Sequence, residues 1–396
     1  MDQLVGAAQD LAALARRMGG PRLLGVVGGG QRVEPSQPRM AAPGQVDEDA
    51  TAVGVGLAAV DPAVVGERVQ DRYAYSFGGG SPVVTVPPGS VVELTTEDCF
   101  GGRVRGAADL PSRVCTFPYL NPVTGPVAVS GAEPGDALAV HFVDISPARD
   151  WGVSSTFPHF GALTATHATA MLHPALEERV WVYAIDAKAG TCRFEATRGD
   201  FAVDLPLDPM HGTVGVAPAA GERLMSISPG VHGGNMDTPE LRAGTTVYFA
   251  VNVEGAMFAV GDGHARQGEG EVCGTAVETA MHTVVAVDLV KGGAPAVPRL
   301  ENDGFLLSTG HARPLEDAFR ISQHDLVQWT AELLGLDQLD AYQLVSQAGL
   351  APAANVCDTQ YTMVAKLPKR VLGRARAYDG VHERLRALGE EYMRQR

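Results

Sequence analysis

Between Pro82 and Leu307, apolar positions recur in short runs rich in β-branched and aromatic residues, interrupted at short intervals by Gly, Pro, Asp or Asn. That pattern predicts strands, most clearly over residues 137–143, 180–185, 245–253 and 282–289. After Arg313 the period changes. Leu315, Phe319, Leu326, Leu333 and Leu334 fall on one helical face, and a second helix is predicted to begin near Asp337 and stop before Gly349. The chain is therefore expected to be mostly β with an α+β C-terminal part, a sandwich or barrel under a helical cap. No internal repeat is visible.

The first 70 residues read differently. Leu4, Ala8, Leu11 and Leu14 recur at helical spacing and predict a short amphipathic helix ending before Gly19. Residues 23–27 are a candidate strand, followed by Gly28-Gly29-Gly30 and a polar, proline-containing linker through Pro43. Neither G-x-G-x-x-G nor G-x-x-x-x-G-K-[ST] is present, so the glycine triplet reads as a loop. Three regions are expected: an extension over 1–70, a β-rich catalytic region over 71–312, and a helical region over 313–396 integrated with the same fold.

Composition narrows the function. Apolar residues make up 45% of the 396 and charged residues 19%, the mix of a globular chain able to bury a sizeable core. The net charge of −15, with no Lys/Arg run, argues against nucleic acid and anionic membranes as partners. Five cysteines without a C-x-x-C pair argue against a zinc–thiolate cluster or a disulfide scaffold and fit a cytoplasmic location. There is no membrane-length apolar run and no basic segment leading into an apolar core at the N-terminus, so neither spanning nor secretion is expected.

Candidate chemistry gathers in one stretch: His232-Gly233-Gly234-Asn235-Met236-Asp237, then Gly261-Asp262-Gly263-His264, then Gly270-Glu271-Val272-Cys273. Residues 241–260, with a turn at Gly244, read as a hairpin between the first two blocks. Carboxylate and imidazole on glycine-flanked turns are what a cation requires: anionic oxygen, neutral nitrogen and backbone room to converge. Asp262 and His264 are two apart and would share one face of a strand. Asp237 and His232 are placed to approach them across the hairpin, and Asp98 is the carboxylate added from the N-terminal half. Turn chemistry alone also accounts for Asp beside Gly. Glu271 and Glu278 read as ordinary solvent-facing residues or as a ligand or general base. Asn235 and Gly234 are candidates for substrate contact.

These blocks resemble the acetamidase/formamidase family. So do Asp98-Cys99-Phe100-Gly101-Gly102, Asn121-Pro122-Val123-Thr124-Gly125-Pro126, Gly131-Ala132-Glu133-Pro134-Gly135-Asp136, Gly215-Val216-Ala217-Pro218, Asp340-Ala341-Tyr342 and Leu367-Pro368-Lys369, in that order along residues 70 to 375. The resemblance implies the family's sandwich- or barrel-like fold and hydrolysis of a small linear amide to carboxylate and ammonia. The expected catalytic residues are Asp237, Asp262, His264 and Glu271. A divalent metal, Zn²⁺ first with Ca²⁺ or iron as alternatives, is expected on Asp98, His232, Asp237, Asp262, His264 and Glu278. A homodimer or higher homo-oligomer is expected too.

Two departures from the family pattern, Thr95 and Glu269, leave open a larger biosynthetic amide as substrate. A non-catalytic metal-stabilised scaffold is the other alternative. His211 reads as a structural histidine and Cys273 as a buried, inert thiol. Ser154-Ser155 lacks the glycine-rich loop of a serine amidase, and no G-x-S-x-G elbow exists.

Overall fold

The short apolar runs become strands of two stacked sheets. The computed structural model describes residues 64–69, 73–164 and 175–396. The amphipathic helix read from Leu4, the strand over 23–27 and the glycine triplet lie outside these. One sheet has nine strands, in the spatial order Val64–Val69, Ser90–Thr96, Met281–Val290, Ala137–Pro147, Thr246–Ala250, Arg299–Glu301, Phe305–Ala312, Tyr361–Pro368 and Ala353–Asn355. The first pair is parallel, so the end of the segment read as an extension contributes a strand here.

The second sheet has eleven strands. Its centre runs Trp151–Thr156, Val277–Glu278, Phe258–Arg266, Met210–Gly215 and Gly233–Asn235, with Val123–Val129 also paired to Phe258–Arg266.

Strand alternation sets the layers. Val247 and Phe249 face inward with Leu138, Val140, Phe142, Val285 and Leu307, where they meet Val127, Val214, Phe258 and Val260 of the other sheet. Each such buried side chain contributes about 1.5–3 kcal/mol. Tyr248, between Val247 and Phe249, points the other way and packs with Ala139, Val284 and Ala286 beneath Val381 and Leu385 of the helix Val381–Gln395. Leu306, Ala365 and Leu367 are covered by Leu326, Trp329 and Val345 of the helices Leu315–Leu334 and Gln338–Ala348. The described residues thus form a β-sandwich with a helical layer on one outer face. Among the described residues, no helix is long and apolar enough to cross a membrane.

Two expectations need correction. Residues 241–260 do not form a hairpin: Thr246–Ala250 pairs with Ala137–Pro147 in one sheet, and Phe258–Arg266 pairs with Met210–Gly215 in the other. Gly255, Ala256 and Met257 take left-handed conformations in succession (φ 78°, 59° and 62°), which turns the chain from one sheet to the next. The first long helix buries Leu326 of the expected face and packs Leu333 and Leu334 against the same core, but its N-terminal half turns a different side inward. Ala318, Ser322, Asp325, Leu326 and Trp329 are buried, whereas Phe319 is 43% exposed. The cause is close approach to Gly310, where a Cβ would stand 2.1 Å from the Ala318 carbonyl oxygen and 2.6 Å from the Ser322 nitrogen.

Candidate active site

Four neighbouring strands bring the chemistry together. Phe258–Arg266 carries Asp262 and His264. On one side His264 is in register with Glu278. On the other side lies Met210–Gly215, and beyond it Gly233–Asn235 leads into Asp237. The intervening strand would separate Asp237 from Asp262 were it not for Gly212. A Cβ there would lie 2.3 Å from Asp237 Oδ1, 2.4 Å from Asp262 Oδ2 and 2.9 Å from His264 Cε1. Asp237, Asp262 and Glu271 all have positive φ (46°, 59° and 43°), a conformation that non-glycine residues hold only where the surroundings enforce it.

Hydrogen bonds fix each group. Gln267 Nε2 donates to the carbonyls of Asp237 and Ala354 at 2.6 and 3.2 Å, so its Oε1 is the atom that accepts from His264 Nδ1 at 2.9 Å. That leaves His264 Nε2 facing Asp262 Oδ1 and Glu278 Oε2, each 3.3 Å away. Asn121 Nδ2 donates to Asp262 Oδ2 at 2.9 Å and to Asn235 Oδ1 at 2.8 Å. Asn235 Nδ2 donates to Asp237 Oδ2 at 2.7 Å and to Asp358 Oδ2 at 2.8 Å.

Five carboxylates, Asp237, Asp262, Glu271, Glu278 and Asp358, are buried here and interact around the one imidazole of His264. Burial, then Glu271 and Asp358, pushes Asp237 well above the ordinary carboxylate range. Burial also raises Glu271 well above that range, and it lifts Glu278 and Asp358 to about 7 each. Asp262 goes the other way: burial opposes its charge, but His264 and several hydrogen bonds outweigh it. For His264, burial is outweighed by Glu278 and Asp262, which hold its pKa high.

A divalent cation suits this set. Asp237 Oδ1, Asp262 Oδ1, His264 Nε2 and Glu278 Oε2 are buried with no hydrogen-bond partner. Ligands about 2.0–2.2 Å from a tetrahedral ion lie about 3.3–3.6 Å apart. The 3.3 Å separations of His264 Nε2 from Asp262 and Glu278 match that edge. One ligand atom each from Asp237, His264 and Glu271 also falls within 4.8 Å of the others.

The family model for the Acetamidase/Formamidase family matches residues 79–222 and 207–317, more than half of the chain. This chain belongs to that family. It is 29% identical over 282 residues to an acetamidase of Mycolicibacterium smegmatis, a match that spans 58% of this chain and 68% of that protein. The crystal structure of an acetamidase from Yersinia enterocolitica superposes with a TM-score of 0.74 at 38% identity, covering 81% of this chain and 96% of that one. An acetamidase from Bacillus halodurans gives 0.70 at 28% identity, covering 78% and 99%. As a member of the Acetamidase/Formamidase family, the chain is a hydrolase of carbon–nitrogen bonds in linear amides.

Not every expected residue joins this amidase's cluster. Asp98 is buried beside it, but Oδ1 accepts from the Phe100 and Gly102 N–H groups at 2.9 and 3.0 Å and Oδ2 pairs with Arg149 at 2.6 Å. Those bonds close a turn and hold the carboxylate away from ligation. His232 is not among the grouped ligand atoms; it lies against the edge of Phe77, ring centroids 5.2 Å apart, with burial lowering its pKa to about 4, and both its ring nitrogens are buried without a hydrogen-bond partner. Asn235, expected to touch substrate, instead has its amide engaged in orienting Asp237 and Asp358. Gly234 has φ 89°, and a Cβ there would stand 2.2 Å from the Ser228 carbonyl oxygen, so its role is close packing of the turn.

Glu271 and Glu278 are buried rather than solvent-facing, Glu271 on a turn and Glu278 in a short strand. His211 is structural, its two nitrogens bonded to Gly261 O at 2.9 Å and Thr283 Oγ1 at 2.7 Å. Cys273 is exposed, not buried, and donates to the Thr275 carbonyl at 3.2 Å. Glu269 is exposed on the surface of its turn.

Sequence reasoning passed over Asp358, Asn121 as a carboxylate-orienting amide, Gln267, Gly212 and Asn355, whose Nδ2 donates to Asp237 Oδ2 at 3.3 Å. Asn121 sits inside a matched motif, which was its one signal; Asp358 had none. A cavity of about 1070 Å³ lined by Arg299, Trp329 and Tyr378 lies by the helical layer and includes none of the cluster residues. The chemistry points to the buried cluster and not to that opening.

Proposed function

We propose that this amidase is metal-dependent and cleaves a small linear amide, of the formamide or acetamide kind, to a carboxylate and ammonia. The observation that supports this most strongly is the group of four unpartnered, buried ligand atoms on Asp237, Asp262, His264 and Glu278. These residues would hold the cation, and their nitrogen–oxygen donor set favours Zn²⁺, with iron next and Ca²⁺ after it. When bound, the ion would polarise the amide carbonyl and make water easier to deprotonate.

The chain's own groups do the rest. Gln267 holds His264 in the tautomer that presents Nε2 to the site. Asn121 and Asn235 keep the Asp262 and Asp237 carboxylates aimed inward. Glu271, whose Oε2 accepts only from the Cys357 thiol at 3.5 Å, is placed to take the proton of the attacking water. It then returns that proton to the leaving nitrogen as the carbon–nitrogen bond breaks and ammonia departs. The names of the relatives support a short acyl group. The exposed position of Glu269 also supports a small amide over a larger one.

Ammonia release should be measured across a series of amides of increasing acyl length. The highest kcat/KM is expected for formamide or acetamide. Turnover confined to long or aromatic amides would contradict the substrate assignment.

A further inference from the structure

The turn after Ser90–Thr96 directs a thiol at the carboxylate cluster. Asp98 closes this turn through Phe100, Gly102 and Arg149. The Cys99 carbonyl accepts from the Asn121 N–H at 2.8 Å, and the Asn121 side chain holds Asp262. Cys99 is thereby fixed at its backbone, buried and free of any disulfide. Its Sγ and one oxygen each from Asp262 and Glu278 all lie within 4.8 Å of one another. Asp262 Oδ1 and Glu278 Oε2, on residues each 1% exposed, are unpartnered, and both face His264 Nε2.

We infer that Cys99 is a thiolate ligand beside Asp262 and Glu278, and that its sulfur makes the site select a thiophilic divalent ion such as Zn²⁺ over Ca²⁺ or Mg²⁺. The inference rests on the metal-dependent reading above. Three ligand atoms so grouped leave room for an ion about 2.0–2.3 Å from each. As the sulfur–metal bond forms, the Cys99 thiol releases its proton to solvent. A soft sulfur ligand disfavours hard cations that prefer all-oxygen shells. The absence of a C-x-x-C pair excludes a cluster of thiolates, not a single thiolate supplied by the fold.

The full-length protein, stripped of metal and titrated with Co²⁺, provides the test. The wild type is expected to develop a sulfur-to-cobalt charge-transfer band in the near ultraviolet, and Cys357→Ser, which alters the other buried thiol near the cluster, is expected to keep it. Cys99→Ser and Cys99→Ala should lack the band, bind Zn²⁺ about tenfold or more weakly, and lose preference for Zn²⁺ over Ca²⁺. Circular dichroism would verify their fold. Co²⁺ bound by the wild type without the band, or a band that survives in Cys99→Ser, would overturn the inference. If that ion is still needed for ammonia release, the metal-dependent reading stands alone. Amide hydrolysis by a protein that binds no divalent ion removes both.

Discussion

Gly212 is the residue on which the site's convergence depends. Its φ is not in the left-handed region, so the backbone would accept alanine, but the added methyl would collide with Asp237, Asp262 and His264. Gly212→Ala is therefore expected to leave a folded protein whose turnover falls about 10²-fold or more, since displacements of an ångström carry losses of that size. Near-native kcat/KM in this variant would show that the three side chains do not work together. Gln267 is tested by metal affinity instead: Gln267→Leu should weaken binding about 10- to 100-fold, and Gln267→Glu, which keeps an acceptor for His264 Nδ1, should recover part of it. Equal affinities in all three would remove the tautomer argument. Asp262 and His264 were legible in the sequence because residues two apart in a strand share a face. Asp358, Cys99 and Gly212 were not, because their place in the cluster comes from register between strands and from turns far apart in the chain.

At the scale of elements, the helical layer is anchored by a polar contact. Arg299 Nε and Nη2 donate to the two oxygens of Asp325 at 2.8 and 2.9 Å, and the guanidinium lies 4.8 Å from the centre of the Trp329 ring. Both side chains are nearly buried, so removing one partner strands the other. Asp325→Ala is expected to lower stability by about 3–5 kcal/mol, read by urea unfolding, with activity per folded molecule little changed. A loss under about 1 kcal/mol would mean the pair is solvated in effect. The helix face was legible only in part: Leu326 was on it, but the buried stripe continues through Ala318, Ser322 and Asp325, which periodicity of large apolar residues does not register. The second helix was legible at both ends because Asp337 caps it, accepting from the Leu339 and Asp340 N–H groups, and Gly349 ends it.

For the whole molecule, acid is predicted to destabilise the fold partly through His141 between the nine-stranded sheet and its helical cover. Burial, then the nearby His382 and Arg386, lowers its pKa to about 3, with Asp303 acting in the opposite sense. Above about pH 7 neither the folded nor the unfolded imidazole binds a proton, and His141 adds no pH dependence. As pH falls below the unfolded value near 6.5, only the unfolded chain is protonated, and stability is lost down to about pH 3. Between pH 6.5 and 5 this amounts to about 2 kcal/mol. His141→Phe should lose correspondingly less stability over that interval than the wild type, and parallel curves would contradict the prediction.

At this scale the β-rich body, the helical cover and the family were legible from strand spacing and ordered motifs. The division of strands between two sheets was not, since the turn through Ala256 and Met257 has no glycine at those two positions to announce it. The central claim, that buried carboxylates and one imidazole hold a metal that drives amide hydrolysis, is tested most directly by ammonia release from acetamide. The measurement compares protein verified free of metal with the same protein reloaded with Zn²⁺. Activity absent in the first and restored in the second is the expected result; equal activity in both would contradict the account.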